Sequence, residues 1–228
     1  ATMKIAVLTK AIPSYESSIR VDNSGSWIDE SVVNYVVNES DSYALEEALQ
    51  IKEQVGDDSE VVVVTLGSEA NTSKVIKDGL AKGADRGIFI KNDSNTTDPL
   101  TVAKIFAENL KSENFDLILS GLQSDDLGYG QTVVLIGELL EMSNATLAIE
   151  TQVEGDKIKV KRELESGWFQ WVTLDSPASV SIQSGINQPR YPSLKGIMGA
   201  KKKEINVIVA SIEDSKQNLD KILSLIHI

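Results

Sequence analysis

Glu60-Val61-Val62-Val63-Val64-Thr65-Leu66 is a β-branched, apolar run with no polar residue alternating among its four valines. A strand with one wet face alternates; a run like this has to be covered on both sides, as inside a parallel sheet flanked by helices. The surrounding chain supplies those helices. Residues 3–10 read as a first buried strand, and 11–31, with Pro13, Asn23, Ser24 and Gly25, as an irregular excursion inserted after it. Ser40 or Asp41 is placed to cap a helix running to Lys52, with Ala44, Leu45, Ala48, Leu49 and Ile51 mostly on one face. Residues 68–81 form a helical pattern stopped at Gly83, 86–90 a strand, 99–110 a helix, and 115–120 a strand followed by a helix over 133–140. Strand and helix alternate about five times, so the expected fold is α/β with a doubly wound, mostly parallel sheet.

From about residue 145 the rhythm changes. Four short extended runs, 145–153, 157–164, 169–174 and 178–183, are separated by Glu154-Gly155-Asp156, Glu165-Ser166-Gly167 and Ser176-Pro177, which read as hairpin turns of an antiparallel section. Beyond Asn187 comes an arm punctuated by Pro189, Pro192, Gly196 and Gly199, then Lys201-Lys202-Lys203, and a final helical pattern over 215–226. The expected division is therefore an α/β domain over 1–186 and a C-terminal arm over 187–228.

The loop after the strand at 115–120 is the expected ligand site. Gly121-Leu122-Gln123-Ser124-Asp125-Asp126-Leu127-Gly128-Tyr129-Gly130-Gln131-Thr132 joins the carboxyl end of a strand to a helix, where open α/β sheets bind ligands. Its glycines allow close backbone approach, and a helix start offers free N–H groups to a phosphate, which points to a nucleotide. A turn needing only glycine geometry and Asp caps is the plainer reading. The loop is not a Walker motif and lacks the Gly-x-Gly-x-x-Gly spacing of dinucleotide folds, which weakens an NAD-dependent oxidoreductase.

Composition removes other classes. The chain has no cysteine, and its single histidine, His227, is next to last, so thiolate nucleophiles, histidine triads and poly-histidine metal sites are excluded from its body. A net charge of −12 disfavours nucleic acid and anionic membranes as partners. No apolar run approaches the ~20 residues of a membrane span, and no signal or Arg-rich transit segment opens the chain, so the expected location is the cytoplasm, or the mitochondrial matrix for a eukaryotic chain whose transit peptide has been removed.

Several stretches in this order resemble the β (small) subunit of electron transfer flavoproteins, heterodimers that carry electrons from dehydrogenases to an acceptor. They are Ala44-Leu45-Glu46-Glu47-Ala48, Gly79-Leu80-Ala81-Lys82-Gly83-Ala84-Asp85-Arg86-Gly87, the loop ending in Gln131-Thr132, Glu154-Gly155-Asp156-Lys157, Arg162-Glu163, and Asn187-Gln188-Pro189-Arg190-Tyr191 followed by Leu194 and Ile197-Met198. The family fold is adenine-nucleotide alpha hydrolase-like. The form Gln123-Ser124-Asp125-Asp126, then Gly128-Tyr129, is closer to members serving amine dehydrogenases than to the mitochondrial type.

The resemblance implies a structural AMP in this subunit and an FAD held mainly by the alpha subunit. Residues Gly121 to Thr132 match the family's main AMP-binding stretch, and Leu8, Asn38-Glu39-Ser40-Asp41 and Leu66 match its other contacts. Tyr15 matches a tyrosine beside the flavin ring, with an exposed loop tyrosine as the alternative. Arg162 and Glu163 match a strand whose glutamate pairs with the flavin domain's arginine; a solvated strand face is the alternative. Leu194, with Ile197 and Met198, matches the anchor for the donor dehydrogenase, as against an arm folded onto its own subunit. Gly128-Tyr129-Gly130 departs from many relatives, which leaves backbone contacts to a phosphate intact and puts side-chain contacts in doubt. A bifurcating-type subunit with a second FAD in place of AMP, and a stand-alone adenine-nucleotide sensor, are the competing functions.

Overall fold

The computed structural model describes residues 2–93, 98–123 and 130–210. Its core is a nine-stranded sheet in the order β11-β5-β4-β1-β6-β10-β7-β8-β9. The strands are β1 (Lys4–Thr9), β4 (Glu60–Gly67), β5 (Arg86–Lys91), β6 (Leu117–Gly121), β7 (Ser143–Glu154), β8 (Lys157–Glu163), β9 (Phe169–Asp175), β10 (Ala178–Ile182) and β11 (Ile205–Val209). All neighbours from β11 to β7 pair in parallel; only β8 and β9 run antiparallel to their neighbours. A separate two-stranded ribbon, β2 (Ala11–Pro13) and β3 (Tyr35–Val37), brackets the excursion after β1.

The valine run explains the layering. Val61 and Val63 face one core and Val62 and Val64 the other, all fully buried. The first core takes the apolar faces of α1 (Glu39–Val55), α2 (Glu69–Lys82) and the short α5 (Leu194–Ala200); the second takes α3 (Pro99–Leu110) and α4 (Thr132–Leu139). The doubly wound sheet expected from the sequence is the one observed.

Two details differ from the sequence reading. First, the run at 178–183 does not form a hairpin with the strand before it. β10 inserts between β6 and β7, parallel to both. Its serines alternate with apolar residues, and all five residues are buried. Ser179 bonds to Asn144 and Ser181 Oγ accepts from Leu147 N at 3.2 Å, so the hydroxyls are satisfied inside the sheet. Second, β7 is not one regular strand. Its first half pairs with β10; a register shift next to Leu147, which has φ of 59°, redirects the second half toward β8. The β7–β8–β9 meander thereby adds Ile158, Val160 and Leu174 to the α1 core.

At the amino edge of the sheet a charged network replaces apolar packing. Arg86 on β5 bonds Glu60 on β4 at 2.6 Å and Glu113 at 2.6 Å, while Lys4 on β1 reaches Glu113 at 2.7 Å. Burial pulls the Arg86 pKa down, but the two carboxylates outweigh it and leave it raised. Arg86→Ala strands two carboxylates that keep a single lysine between them, and is expected to cost about 2 kcal/mol in urea unfolding. A midpoint equal to the parent's would show the network to be structurally idle.

The segment 187–210, set apart as an arm in the sequence, returns to the domain through α5 and β11. The last helical pattern, over 215–226, and His227 lie outside the described residues.

Candidate functional site

Strand order locates the site. From β1 the chain builds outward to β4 and β5, then crosses back to place β6 on the other side of β1. The connections leaving the carboxyl ends of β1 and β6 therefore lead to opposite faces of the sheet, α1 on one and α4 on the other, which makes this the switch point, or crevice, at which α/β folds bind ligands. The predicted residues Leu8, Leu66 and Gly121 fall on β1, β4 and β6 at this edge.

The amino end of α1 is fastened across the crevice. Asn38 is the cap position of the helix, which begins at Glu39, so the observed cap lies two residues before Ser40 and three before Asp41, the caps expected from the sequence. Those side chains serve tertiary bonds instead. Ser40 Oγ donates to the Gln123 carbonyl at 2.6 Å, and Asn38 Nδ2 donates to the same carbonyl at 3.1 Å and to Ser40 Oγ at 2.8 Å. The Asp41 carboxylate accepts from the Lys10 N–H just beyond β1, at 2.9 Å, and from the Gly121 N–H that ends β6, at 3.1 Å. One carboxylate thus joins both strands that bound the crevice.

Burial dominates the electrostatics of Asp41. Removal from water pushes its pKa up to about 7, against the opposing pull of the backbone N–H groups of Lys10 and Gly121. Gly121 itself is needed for fit: a Cβ there would meet Ser40 Oγ and stand 2.6 Å from the Ser40 carbonyl carbon. Next to β1, Thr9 and Thr65 pair through their hydroxyls at 2.7 Å, closing the floor between β1 and β4.

The remaining predicted residues lie as follows. Leu8 and Asn38 are buried, Leu66, Leu122 and Thr132 half-buried, and Glu39, Gln123, Gly130 and Gln131 exposed. Ser124, Asp125, Asp126, Leu127, Gly128 and Tyr129 lie outside the described residues. Tyr15 is 82% exposed, between β2 and β3. Arg162 sits opposite Ala148 on β7, where its guanidinium donates to Thr146 O at 3.0 Å and to Gln170 Oε1 at 3.2 Å, with exposed Glu163 beside it. Three strand spacings, roughly 14 Å, separate that position from Gly121.

Ser68 was not anticipated. It follows β4 at the N-cap of α2, yet its hydroxyl caps nothing and is buried without a partner. A serine after a strand and before a helix reads as an ordinary cap, so its sequence carried no sign that the hydroxyl would be left over.

A second surface lies on α5. Leu194, Met198 and Ile197 are 76%, 65% and 46% exposed, with Tyr191 at 94% just before the helix. Two of the sequence motifs hold this surface in place by meeting each other. Arg190 bonds Glu46 at 2.8 Å and Glu53 at 2.7 Å on α1, and Asn187 Nδ2 donates to Glu47 Oε2 at 3.0 Å. Burial favours a neutral Glu46, but its hydrogen bonds to Arg190 and Gln50 outweigh that and hold its carboxyl below the usual range. At the far end Lys203 Nζ donates to the carbonyls of Leu80 at 3.0 Å and Ala84 at 2.6 Å. Gly196 lies so close to the Ala81 carbonyl that no side chain fits between them.

Comparison with known proteins agrees in one direction. Residues 26–213 match the family model described as the electron transfer flavoprotein domain. The chain is 43% identical over 203 residues to the electron transfer flavoprotein subunit beta of Bradyrhizobium diazoefficiens, covering 89% of this chain and 80% of that one. It is 37% identical over 209 residues to the subunit of the same name from Methylophilus methylotrophus, covering 90% and 79%. Against the Bos taurus subunit it is 34% identical over 231 residues, covering 100% and 89%.

Proposed function

We propose that this chain, which belongs to the electron transfer flavoprotein family as a beta subunit, shelters an AMP in the β1/β6 crevice, forms one wall of an FAD site and docks a donor dehydrogenase. As a beta subunit it has an alpha partner, and the pair is an electron carrier, not an enzyme. No helix among the described residues is long and apolar enough to cross a membrane, and we place the heterodimer's work in the cytoplasm, or in the matrix for a mitochondrial member.

The observation that carries the AMP reading is the fastening of α1 across the switch point, where Asn38, Ser40 and Asp41 bond to the Gln123 carbonyl and to the N–H groups of Lys10 and Gly121. The orphaned, buried Ser68 hydroxyl at that same edge suits a polar ligand better than an empty crevice. Half-buried Leu66 offers apolar surface to an adenine, buried Leu8 offers only its backbone, and the exposed start of α4 at Gly130 and Gln131 offers N–H groups to a phosphate. For the flavin, this chain contributes the flat, exposed ring of Tyr15 as a packing surface, with Arg162 and Glu163 available to a mobile partner domain. The flavin, when bound, supplies the one- and two-electron chemistry. Exposed ion pairs are worth about 0–1 kcal/mol each, which suits a domain that has to release.

Co-expression with the alpha subunit, followed by mass spectrometry of the ligands released on denaturation, is expected to give one AMP and one FAD per heterodimer. Two FAD and no AMP would make the chain a bifurcating-type subunit, and a flavin-free homodimer would make it a nucleotide sensor. Ser68→Ala, nearly isosteric, is expected to lower AMP retention on gel filtration by roughly fivefold, the effect of one lost hydrogen bond.

A further inference from the structure

The sequence predicts an irregular excursion after β1; residues 14–34 are instead a hydrogen-bonded lobe. Its tip is a hairpin. Val21 bridges Ile28, Asp22 N donates to the Trp27 carbonyl at 2.8 Å, and the Asp22 carboxylate accepts from Ser24 N at 2.9 Å and Ser24 Oγ at 2.6 Å, with Gly25 at φ 71° in the turn. This fixes Trp27. Asp29 then caps a single 3₁₀ turn, Glu30–Val32, by accepting from Ser31 N at 3.1 Å, and so fixes Glu30.

One oxygen of Glu30 gathers the lobe. Its Oε1 accepts from Tyr35 Oη at 3.0 Å, from Trp27 Nε1 at 3.1 Å and, as the longest of the three, from Asn71 Nδ2 at 3.5 Å. These donors come from β3, from the hairpin and from the first turn of α2, so a single carboxylate ties the lobe to the ribbon and to the body of the domain. Asn34, next to Tyr35, carries the fastening on to Tyr15. The Asn34 carbonyl accepts from Ser14 N at 2.7 Å and from Ser17 Oγ at 3.3 Å, Asn34 N donates to Ser17 Oγ at 3.0 Å, and Ser17 N donates to the Ser14 carbonyl at 2.9 Å. Tyr15 therefore stands in a turn held at both ends.

Stability does not account for this order. No residue from 14 to 34 is buried, and the three bonds to Glu30 lie at the surface, where contacts to a charge are worth little. Ordering a segment that buries nothing costs chain entropy with no core gained in return. What the lobe presents is Tyr15, 82% exposed against 45% for Ile19 and 46% for Val32. We propose that Glu30 is a positioning residue whose carboxylate holds the lobe so that the Tyr15 ring meets the flavin in one orientation, ordered before the two come together. The inference rests on the flavin-wall reading of Tyr15 and adds the group that fixes the ring.

The test uses the purified, flavin-loaded heterodimer and two readouts. One is the visible circular dichroism of the bound flavin, which reports how the ring sits against its neighbours; the other is trypsin cleavage after Arg20, an exposed residue of the lobe. Tyr15→Leu, which removes the flat ring, is expected to lower the dichroism by about half. Glu30→Ala should reproduce most of that loss, and the double variant should lose no more than Tyr15→Leu alone, because a residue that acts through another adds nothing once the other is gone. Trypsin should cut Glu30→Ala about fivefold faster than the parent, since the lobe opens more often without its fastening. Glu30→Gln, whose carbonyl oxygen still accepts from the same donors, should bring both readouts back toward the parent. Losses that add in the double variant, cleavage no faster than the parent's, or a parental Glu30→Ala dichroism beside an effective Tyr15→Leu would overturn the inference and leave Tyr15 against the flavin. A Tyr15→Leu spectrum identical to the parent's, or a heterodimer that binds no flavin, would remove the flavin-wall reading and the inference with it. Loss of AMP from Glu30→Ala would place the action of Glu30 in the crevice and overturn the inference as well.

Discussion

Gly121→Val, co-expressed with the alpha subunit, is expected to yield a protein that retains no AMP and unfolds far more easily than the parent. The reason is a contact that no rotamer change relieves. A Cβ at Gly121 meets not only the Ser40 hydroxyl but the Ser40 carbonyl carbon at 2.6 Å, so backbone must move against backbone. Either α1 lifts away from β6, or β6 leaves its register with β1. Lifting α1 breaks the bonds of Ser40 and Asn38 to the Gln123 carbonyl and of Asp41 to the Gly121 N–H. Overpacking of this kind costs about 3 kcal/mol, which for a chain of this length lowers the melting midpoint by roughly 10 °C. Ser40→Ala combined with Gly121→Ala should recover little, because the backbone carbon stays where it was. A Gly121→Val heterodimer with parental midpoint and a full AMP complement would show that α1 and β6 are not in the contact that defines the crevice.

Stability of the parent is expected to fall as pH rises from about 5 to about 7, a direction opposite to that of most carboxylates. Asp41 titrates near 3.8 in an unfolded chain and near 7 in the fold, chiefly because burial disfavours its charged form. The folded state therefore binds the extra proton between those values. The stabilising contribution is complete below about pH 4 and is lost as pH passes through 7, with a slope of up to about 1.4 kcal/mol per pH unit. Glu46 and Glu113, both shifted downward by cationic partners against the cost of burial, work the other way, and their contribution is lost only as pH falls below their ordinary range. Urea unfolding at pH 6, 7 and 8 isolates the Asp41 component, because there the glutamates are almost fully ionised in both states. Asp41→Asn should flatten the slope over that range. It should also be less stable than the parent at pH 5, since a carboxamide offers one acceptor to the two N–H groups of Lys10 and Gly121. An Asp41→Asn profile as steep as the parent's would place the titration elsewhere.

The candidate site was partly legible in the chain. A glycine-bearing loop after an apolar strand pointed to the carboxyl edge of the sheet as the candidate site, and the order of the short motifs announced the family. The pairing of motifs was not legible. Ala44-Leu45-Glu46-Glu47-Ala48 and Asn187-Gln188-Pro189-Arg190-Tyr191 lie some 140 residues apart, and nothing local says that Glu46 receives Arg190 or that Glu47 receives Asn187. Ser40 and Asp41 misled for a related reason: both are good helix caps, but Ser40 is drawn off by the Gln123 carbonyl just beyond β6, and Asp41 by the N–H groups of Lys10 just beyond β1 and of Gly121 on β6. The turn signal at Ser176-Pro177 misled because it marks where a strand stops, not which strand the next one pairs with, and β10 lies parallel between β6 and β7.

The sequence by itself determined the layers. Four successive valines demand cover on both faces, helical periodicity supplies it, and glycine and proline mark where each element stops, because these are local properties of backbone and side chain. Only the tertiary structure decided which strand lies beside which, that β10 returns to the middle of the sheet, and that a single buried carboxylate ties β1 to β6. Those outcomes depend on partners distant along the chain, where burial and hydrogen bonding are won or lost against water by the whole fold at once, and no short window of residues contains both sides of that balance.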